Sequence, residues 1–241
     1  MASPPYHTSM KVLIFITVWK RPEVTDLTYS GLDRVQSILK EEGIESKVLV
    51  VSSEEYHTKR ARERGYDVIE VENFPVGTKQ NTGMLHALKL NWDWDCMMRM
   101  DSNNLLSSMY VRMSAAYKSQ VDIWGSSKFW ALQQNKKRHR AFLVRRGFGP
   151  VGMGVRRHIL EASSQWFDLD RNKKIDQSFW ARIVKPWATS NPDKVVSIAG
   201  ANYPSVADIK SGEDINAHIG DDVRPKSWWV TWFPEIKNWL D

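Results

Sequence analysis

The sequence predicts an α/β protein with a mainly parallel sheet flanked by helices, and three observations lead to this prediction. From Lys11 onward, short apolar runs alternate with longer stretches of helical periodicity, which is the pattern of βα units. Several of the runs are apolar on both faces, as buried parallel strands are. The chain has 241 residues, 42% of them hydrophobic, which is enough for one sizeable core. We therefore expect a single domain.

The first half of the chain contains most of the predicted elements. In order, they are a strand at 12–16, a helix from Pro22 to Gly43, a strand at 47–53, a helix at 54–64, a strand at 67–73, a helix at 78–90 and a strand at 96–100. Pro22 suits the first turn of a helix, and Gly43 ends one. Ligands of such sheets bind beyond the carboxyl ends of the strands. This places candidate site residues at 18–21, 52–53 and 101–104.

Composition excludes several classes of protein. The net charge of +6 is mildly basic for this length and excludes an acidic tail protein. A single cysteine, Cys96, cannot form an internal disulfide, so we expect a reducing, cytoplasmic location. Residues 1–10 lack the basic and apolar regions of a signal peptide, and we expect a flexible tail there. The longest apolar stretch, 12–19, is shorter than the roughly 20 residues that span a bilayer, so we expect a soluble protein.

A basic block lies in the second half. Residues 123–160 contain no Asp or Glu but nine Lys and Arg residues. Such a block predicts either a surface that binds a polyanion or an ordinary basic solvated face, and the sequence leaves both open.

The strand MRMD ends in the tetrapeptide Asp101-Ser102-Asn103-Asn104. Hard divalent cations prefer carboxylate, carbonyl and water oxygens, so this strand end is a candidate site for a cation and a diphosphate. The same residue types favour turns, and on the tetrapeptide alone a turn is an equal alternative.

Six segments, taken in sequence order, resemble the GT-A glycosyltransferases, most closely the small family-2-like enzymes of viral and bacterial genomes. They are ITVWKRPE, GTKQNTGMLHAL, the strand ending in DSNN, GMGVRRHILEA, KKIDQSFW and DIKSGEDINAH. Each segment alone is weakly specific, and their order carries the resemblance. It covers nearly the whole chain and implies a donor half at about 11–104 and an acceptor half at about 105–241. The donor it implies is a nucleotide-sugar, with a UDP-sugar favoured.

The resemblance places the metal-binding motif of that family on Asp101, Ser102 and Asn103, and its late histidine on His218. The cofactor implied is Mn²⁺ or Mg²⁺. Asn103 stands where the family has its last carboxylate, which predicts weak metal binding. For His218 an ordinary loop histidine is an equal alternative.

The resemblance also implies a set of donor-binding residues. They are Thr17, Trp19, Arg21, Lys79, Asn81, Asp101, Ser102 and Lys210. Trp19 is placed to stack on a base, with core packing as the alternative. Lys79 is a point charge for phosphate, with a solvated residue at a helix start as the alternative.

Asp176 in KKIDQSFW matches the family's catalytic base for an inverting transfer. A carboxylate there takes the proton of the acceptor hydroxyl. The alternative is a helix N-cap, a position that Asp favours. Asp168 and Asp170 are the second choices for the base.

The acceptor-binding candidates are Arg138, Arg140, Gly152, Met153 and Arg156. Phosphate-rich DNA carrying a hydroxymethylated base suits the basic block, and a saccharide is an equal alternative. Two other functions stay open: a sugar nucleotidyltransferase, although the chain lacks the Gly-rich N-terminal signature of that class, and a nonenzymatic nucleic-acid-binding protein.

Overall fold

The computed structural model describes residues 10–117, 120–126, 128–133, 140–145, 152–198, 204–210 and 225–238. The predicted tail at 1–10 therefore lies, apart from Met10, outside the described residues.

The described residues form eleven strands and eight α-helices. The strands are β1 (Lys11–Val18), β2 (Glu45–Ser52), β3 (Asp67–Glu70), β4 (Cys96–Asp101), β5 (Asn104–Leu106), β6 (Ile123–Gly125), β7 (Lys128–Gln133), β8 (Arg140–Arg145), β9 (Met153–Arg156), β10 (Val195–Ser197) and β11 (Val206–Lys210). The helices are α1 (Pro22–Glu41), α2 (Glu55–Glu63), α3 (Val76–Lys89), α4 (Ser108–Tyr117), α5 (Arg157–Glu161), α6 (Ile175–Phe179), α7 (Lys185–Ser190) and α8 (Lys226–Trp232). A π-helical turn, Trp180–Val184, joins α6 to α7.

The main sheet has seven strands in the order β10-β6-β9-β4-β1-β2-β3. Strands β4, β1, β2 and β3 run parallel, so their carboxyl ends meet at one edge. Strand β9 is antiparallel to both β4 and β6. The central strand β1 is almost wholly buried because its apolar side chains alternate between two helical layers.

Helices cover both faces of this sheet. On one face, Val12, Ile14 and Ile16 of β1 pack with α1 and α4. On the other, Leu13 and Phe15 pack with α3, α5 and α6. Helix α3 lies very close to the strands at Gly83, where a Cβ would come within 2.9 Å of Phe15 and 2.6 Å of Val51. A larger residue there would push α3 off the sheet.

A second sheet has the order β5-β11-β7-β8. Strand β5 follows β4 directly, and β11 pairs antiparallel with it so that Asp208 faces Asn104. Trp130 of strand β7 in this sheet packs with Trp229 and Phe233, which lie in the segment 225–238. The second sheet therefore brings β11 to the carboxyl end of β4.

This architecture confirms the predicted α/β fold with a mainly parallel sheet. The predicted strands and helices of the first half are all present, and most of their ends agree within about three residues. In the described part of the chain, no helix is both long and apolar enough to cross a membrane.

Candidate functional site

The candidate site lies at the carboxyl edge of the main sheet. Thr17 of β1 and Asp101 of β4 are paired residues at the ends of adjacent strands. The backbone N–H of Asp101 donates to Oδ1 of Asn104 at 2.9 Å, which closes the turn after β4. The carboxylate of Asp101 is 31% exposed, so a ligand can reach it.

Asn103 connects this turn to the second sheet. Its Nδ2 donates to Oδ1 of Asp208 at 2.6 Å and to the carbonyl of Ile209 at 3.0 Å. Both side chains are less than 10% exposed. Sequence reasoning did not select Asp208, although it stands in the DIKSGEDINAH segment. An acid inside an apolar strand was the available signal.

Asp176 lies in the first turn of α6 and is 38% exposed. The N-cap position belongs to Lys174 and Asp176 lies inside the helix, so the N-cap alternative for Asp176 is wrong. Its Oδ1 instead lies 2.8 Å from Nη1 of Arg99, on β4. Nη2 of the same guanidinium donates to Oδ1 of Asp101 at 3.2 Å. The structure therefore brings Asp101 and Asp176 to one arginine.

Arg99 itself is almost completely buried. Its side chain is 2% exposed, and its Cζ lies 5.5 Å from the ring centre of Phe167 and 5.8 Å from that of Phe179. Burial by itself lowers the pKa of the Arg99 guanidinium, but the charges of Asp101 and Asp176 outweigh burial and raise it. Arg99 is a charged residue that sequence reasoning missed, because it lies within the apolar strand CMMRM.

The donor set suits a divalent cation. Asp101 supplies a carboxylate, and Asn103 is oriented so that its nitrogen faces Asp208, which leaves its amide oxygen as a ligand atom. Carboxylate and amide oxygens fit Mn²⁺ and Mg²⁺. Within the described residues, no group of three or more His, Cys, Asp or Glu side chains comes together as a metal cluster. His218 lies outside the described residues.

Lys79 lies beneath the site, in α3. Its side chain is 1% exposed, and Nζ donates to the carbonyl of Val18 at 2.6 Å, Oγ of Ser53 at 2.5 Å and Oδ1 of Asn73 at 3.3 Å. Burial lowers the pKa of Lys79 to about 8, against the opposing effect of Glu54. The predicted alternative of a solvated lysine is therefore wrong. In this structure Lys79 ties together the segments that follow three parallel strands.

Asn81 is saturated by backbone partners. Its Nδ2 donates to the carbonyls of Gly77 and Phe167, both at 2.8 Å. Its Oδ1 accepts from the N–H groups of Trp166 at 2.9 Å and Phe167 at 3.2 Å. The structure thus uses Asn81 to hold the loop that carries Phe167, one of the two rings beside Arg99.

The segment after β1 presents Trp19 beside the site. Lys20 and Arg21 both have left-handed backbone angles, with φ of 54° and 51°. The N–H of Lys20 donates to Oε2 of Glu54 at 2.6 Å, which holds this strained turn in place. Trp19 is half-buried and meets Phe74 edge to face with ring centres 5.2 Å apart. Nζ of Lys20 lies over one face of the Trp19 ring, 4.4 Å from its centre, so a stacking base would need the opposite face.

The remaining donor candidates differ in their surroundings. Oγ1 of Thr17 accepts a long hydrogen bond of 3.4 Å from Gln80. Ser102 is buried, and its carbonyl accepts from Oγ1 of Thr28. Lys210 ends β11, opposite Gln133 of β7.

The acceptor candidates divide between the two ends of the sheet. Gly152 donates from its N–H to the carbonyl of Arg99, and Met153 is the register partner of Arg99, so both lie near the site. Arg156 pairs with Cys96, at the opposite end of β4 from Asp101. At 3.3 Å per residue, Cys96 and Asp101 lie about 17 Å apart along the strand. The structure therefore does not bring Arg156 to the site. Arg138 lies outside the described residues, and Arg140 begins β8 opposite Gln133.

Comparison with known proteins supports the fold. Neither a protein-family model nor a curated protein matches the sequence. Among solved structures, the chain is similar to residues 1–349 of S. aureus TarS, with a TM-score of 0.54 and 11% identity. The match covers 83% of this chain and 60% of the TarS chain, so it spans less than two thirds of that chain. It gives the chain a GT-A-like fold.

Two further similarities are weaker. The inositol-1-phosphate CTP transferase of T. maritima gives a TM-score of 0.47 at 12% identity, covering 87% of this chain and 92% of that one. The catalytic domain of Drosophila β1,4-galactosyltransferase 7, solved with xylobiose, gives 0.46 at 15% identity, covering 82% and 67%.

Proposed function

We propose that this protein is a nucleotide-sugar-dependent glycosyltransferase that inverts the anomeric carbon. One observation carries the proposal: Asp101 at the carboxyl end of β4 and Asp176 at the start of α6 are both partly exposed, and both contact the guanidinium of Arg99. Asp101 ends a strand and Asp176 lies in a helix, so one acid can face a donor while the other faces an acceptor at the carboxyl edge of the sheet.

In the proposed reaction, the acceptor oxygen attacks the anomeric carbon from the side opposite the leaving group. The bond between that carbon and the phosphate oxygen breaks, and the nucleoside diphosphate leaves. Asp176 takes the proton of the acceptor hydroxyl and is restored by its loss to water. Oδ1 of Asp176 faces Arg99, so Oδ2 is the oxygen that we assign to the proton.

The donor lies on the β1 and β4 side in this proposal. Trp19 stacks on the base, and Asp101 with the amide oxygen of Asn103 holds the divalent cation. When bound, that cation would neutralise charge on the diphosphate leaving group. We assign Lys79 and Asn81 indirect parts, because their polar atoms hold the strand ends and the loop around the site.

A nucleotide-sugar panel tests the proposal. Isothermal calorimetry with and without Mn²⁺ should detect binding of one donor, and UDP-sugars are the first to try. Turnover should release a nucleoside diphosphate. Release of pyrophosphate from a nucleoside triphosphate and a sugar phosphate would instead show a nucleotidyltransferase. Absence of any nucleotide binding would favour the nonenzymatic alternative.

Two acceptors stay within the proposal. A hydroxymethylated base in DNA suits a basic acceptor side, and a saccharide supplies a hydroxyl without phosphate contacts. Among the described residues of the basic block, Arg156 lies at the end of β9 away from the site, and Arg157, which follows it, contacts Asp93 and Glu161. The case for DNA therefore depends on the part of the block around Arg138 and Arg140.

A further inference from the structure

Arg99 is far less exposed to solvent than the two acids that it contacts. The guanidinium is 2% exposed, whereas the two acids that it contacts, Asp101 and Asp176, are 31% and 38% exposed. A substrate can therefore touch either acid but not the arginine. Asp101 and Asp176 come from different elements, β4 and α6, and their common partner in the site is this side chain.

The position of Arg99 is itself fixed from several directions. Its carbonyl accepts from the N–H of Gly152 at 2.9 Å, which locks the backbone of β4 to the start of β9. The rings of Phe167 and Phe179 lie beside the guanidinium, and Asn81 holds the backbone of Phe167. A side chain held in this way has little freedom to follow the movements of an exposed carboxylate.

We propose that Arg99 is a positioning residue that sets the place of Asp176 relative to Asp101. This inference rests on the proposed function, in which Asp176 is the base and Asp101 belongs to the donor site. The planar fork of a guanidinium presents two nitrogens at a fixed separation, so it can hold two carboxylates in a defined relation. Nη1 lies against Oδ1 of Asp176, so Oδ2 is the oxygen left for the acceptor in the proposed reaction.

The kinetic test uses Arg99→Met, Asp176→Asn and the double variant. Methionine packs well beside aromatic rings, and the two acids that would lose Arg99 are partly exposed, so water can solvate them. We expect Arg99→Met to lower kcat about 100-fold, because misplacement by about 1 Å has that effect, with the donor KM nearly unchanged. In the Asp176→Asn background, Arg99→Met should lower kcat no further. Falls that multiply in the double variant would overturn the inference.

Two additional variants sharpen the kinetic result. Arg99→Lys keeps the charge but loses the fork, so its kcat should lie between those of the wild type and Arg99→Met. Arg182→Met is the matched control. Arg182 lies outside the site, on the π-helical turn that adjoins α6, and makes a 2.7 Å ion pair with Asp168. It should leave kcat unchanged. Equal losses in Arg182→Met and Arg99→Met would contradict a specific role for Arg99.

Urea unfolding of the same proteins measures the pair without any substrate. The effects of Arg99→Met and Asp176→Asn on the unfolding equilibrium constant should deviate from a simple product by about fivefold, as for contacting residues. Absence of this coupling would overturn the inference. If Arg99→Met does not fold, Arg99→Lys takes its place in both cycles. Coupling in stability without donor turnover in the wild type would remove the proposed function while the pairing stands.

Discussion

Nδ2 of Asn103 donates to Oδ1 of Asp208 at 2.6 Å, and both side chains are buried at the junction of the two sheets. An amide suits this position because it supplies a donor to a buried acid, and in the proposed function its oxygen is the cation ligand. A carboxylate in its place would face Asp208 with like charge, and the penalty would depend on whether a cation is bound.

The first prediction follows from this contact. Asn103→Asp should destabilise the metal-free protein by about 2 kcal/mol or more, because two carboxylates then share a buried site. Mn²⁺ should restore much of this loss, and it should bind the variant more tightly than the wild type. Thermal melts with EDTA and with Mn²⁺ measure both effects. Asn172→Asp is the control, since Oδ1 of Asn172 accepts from the N–H of Val76 at the start of α3, far from Asp208 in the fold. An Mn²⁺ affinity that does not change would show that residue 103 is not a ligand.

The second prediction concerns the base. Asp176→Asn should lower kcat by about 10² to 10⁴ while donor affinity by calorimetry stays the same, because the amide cannot take a proton. Asp168→Asn is the matched comparison. Asp168 makes ion pairs with Arg171 and Arg182, so its substitution should affect stability and leave kcat nearly intact. A reversed pattern, with kcat lost in Asp168→Asn alone, would move the base to Asp168.

The third prediction is a pH dependence of stability. The pKa of Lys79 is about 8 in the folded protein, below its ordinary value of 10.5. Between these values the unfolded chain binds more protons, so this group makes stability rise with pH from about 8 to 10.5. The gain is about 2 to 3 kcal/mol across that range. Urea unfolding at pH 7 to 10 should show part of this rise in the wild type and lose it in Lys79→Met. Lys89→Met, at the exposed end of the same helix, should keep it.

The fourth prediction concerns the loop held by Asn81. Asn81→Ala leaves the N–H of Trp166 and the N–H and carbonyl of Phe167 without this partner. The free energy of unfolding should therefore fall by about 2 to 4 kcal/mol. Because Phe167 lies beside Arg99, kcat should also fall. Asn191→Ala, which removes one partly buried bond to Trp187, should cost less than about 1.5 kcal/mol. Loss of donor affinity with stability unchanged would instead mean that Asn81 binds the donor directly.

Local periodicity explains which parts of this fold were predictable. Strand β1 and helix α1 are recognisable because their apolar spacing, Pro22 and Gly43 act within one segment. Asp101 was selected because it ends a predicted strand, and Asp176 because the segment KKIDQSFW resembles one of the glycosyltransferases. Arg99 was not, because a charge inside an apolar strand shows its role only through partners brought together by tertiary structure.

The same reason applies to Lys79, Asn81 and Asp208. The resemblance selected the first two as donor-binding residues, but nothing in their segment indicated that strand ends or a distant loop would use their polar atoms. The pairing of β11 with β5, which brings Asp208 to Asn103, joins segments far apart in sequence. Such contacts depend on sheet topology, and local patterns do not contain it.

The fifth prediction concerns the acceptor. It compares two parts of the basic block, Arg138 with Arg140 and Arg156. Contacts with phosphate release counterions, so binding of a hydroxymethylated DNA duplex should weaken by about 0.9 log units per log unit of salt for each phosphate neutralised. Combined substitution Arg138→Ala and Arg140→Ala should therefore reduce this slope by up to about 1.8. Arg156→Ala is the internal control. Arg156 pairs with Cys96 at the opposite end of β4, so this substitution should leave the slope unchanged.

If the acceptor is DNA, the base must also leave the stack, so a mismatched or single-stranded site should react at least as fast as a paired one. Salt-insensitive transfer to a neutral saccharide, with no product on hydroxymethylated DNA, would contradict the DNA acceptor and leave Arg99, Asp101 and Asp176 in their proposed roles, since none of the three depends on the basic block.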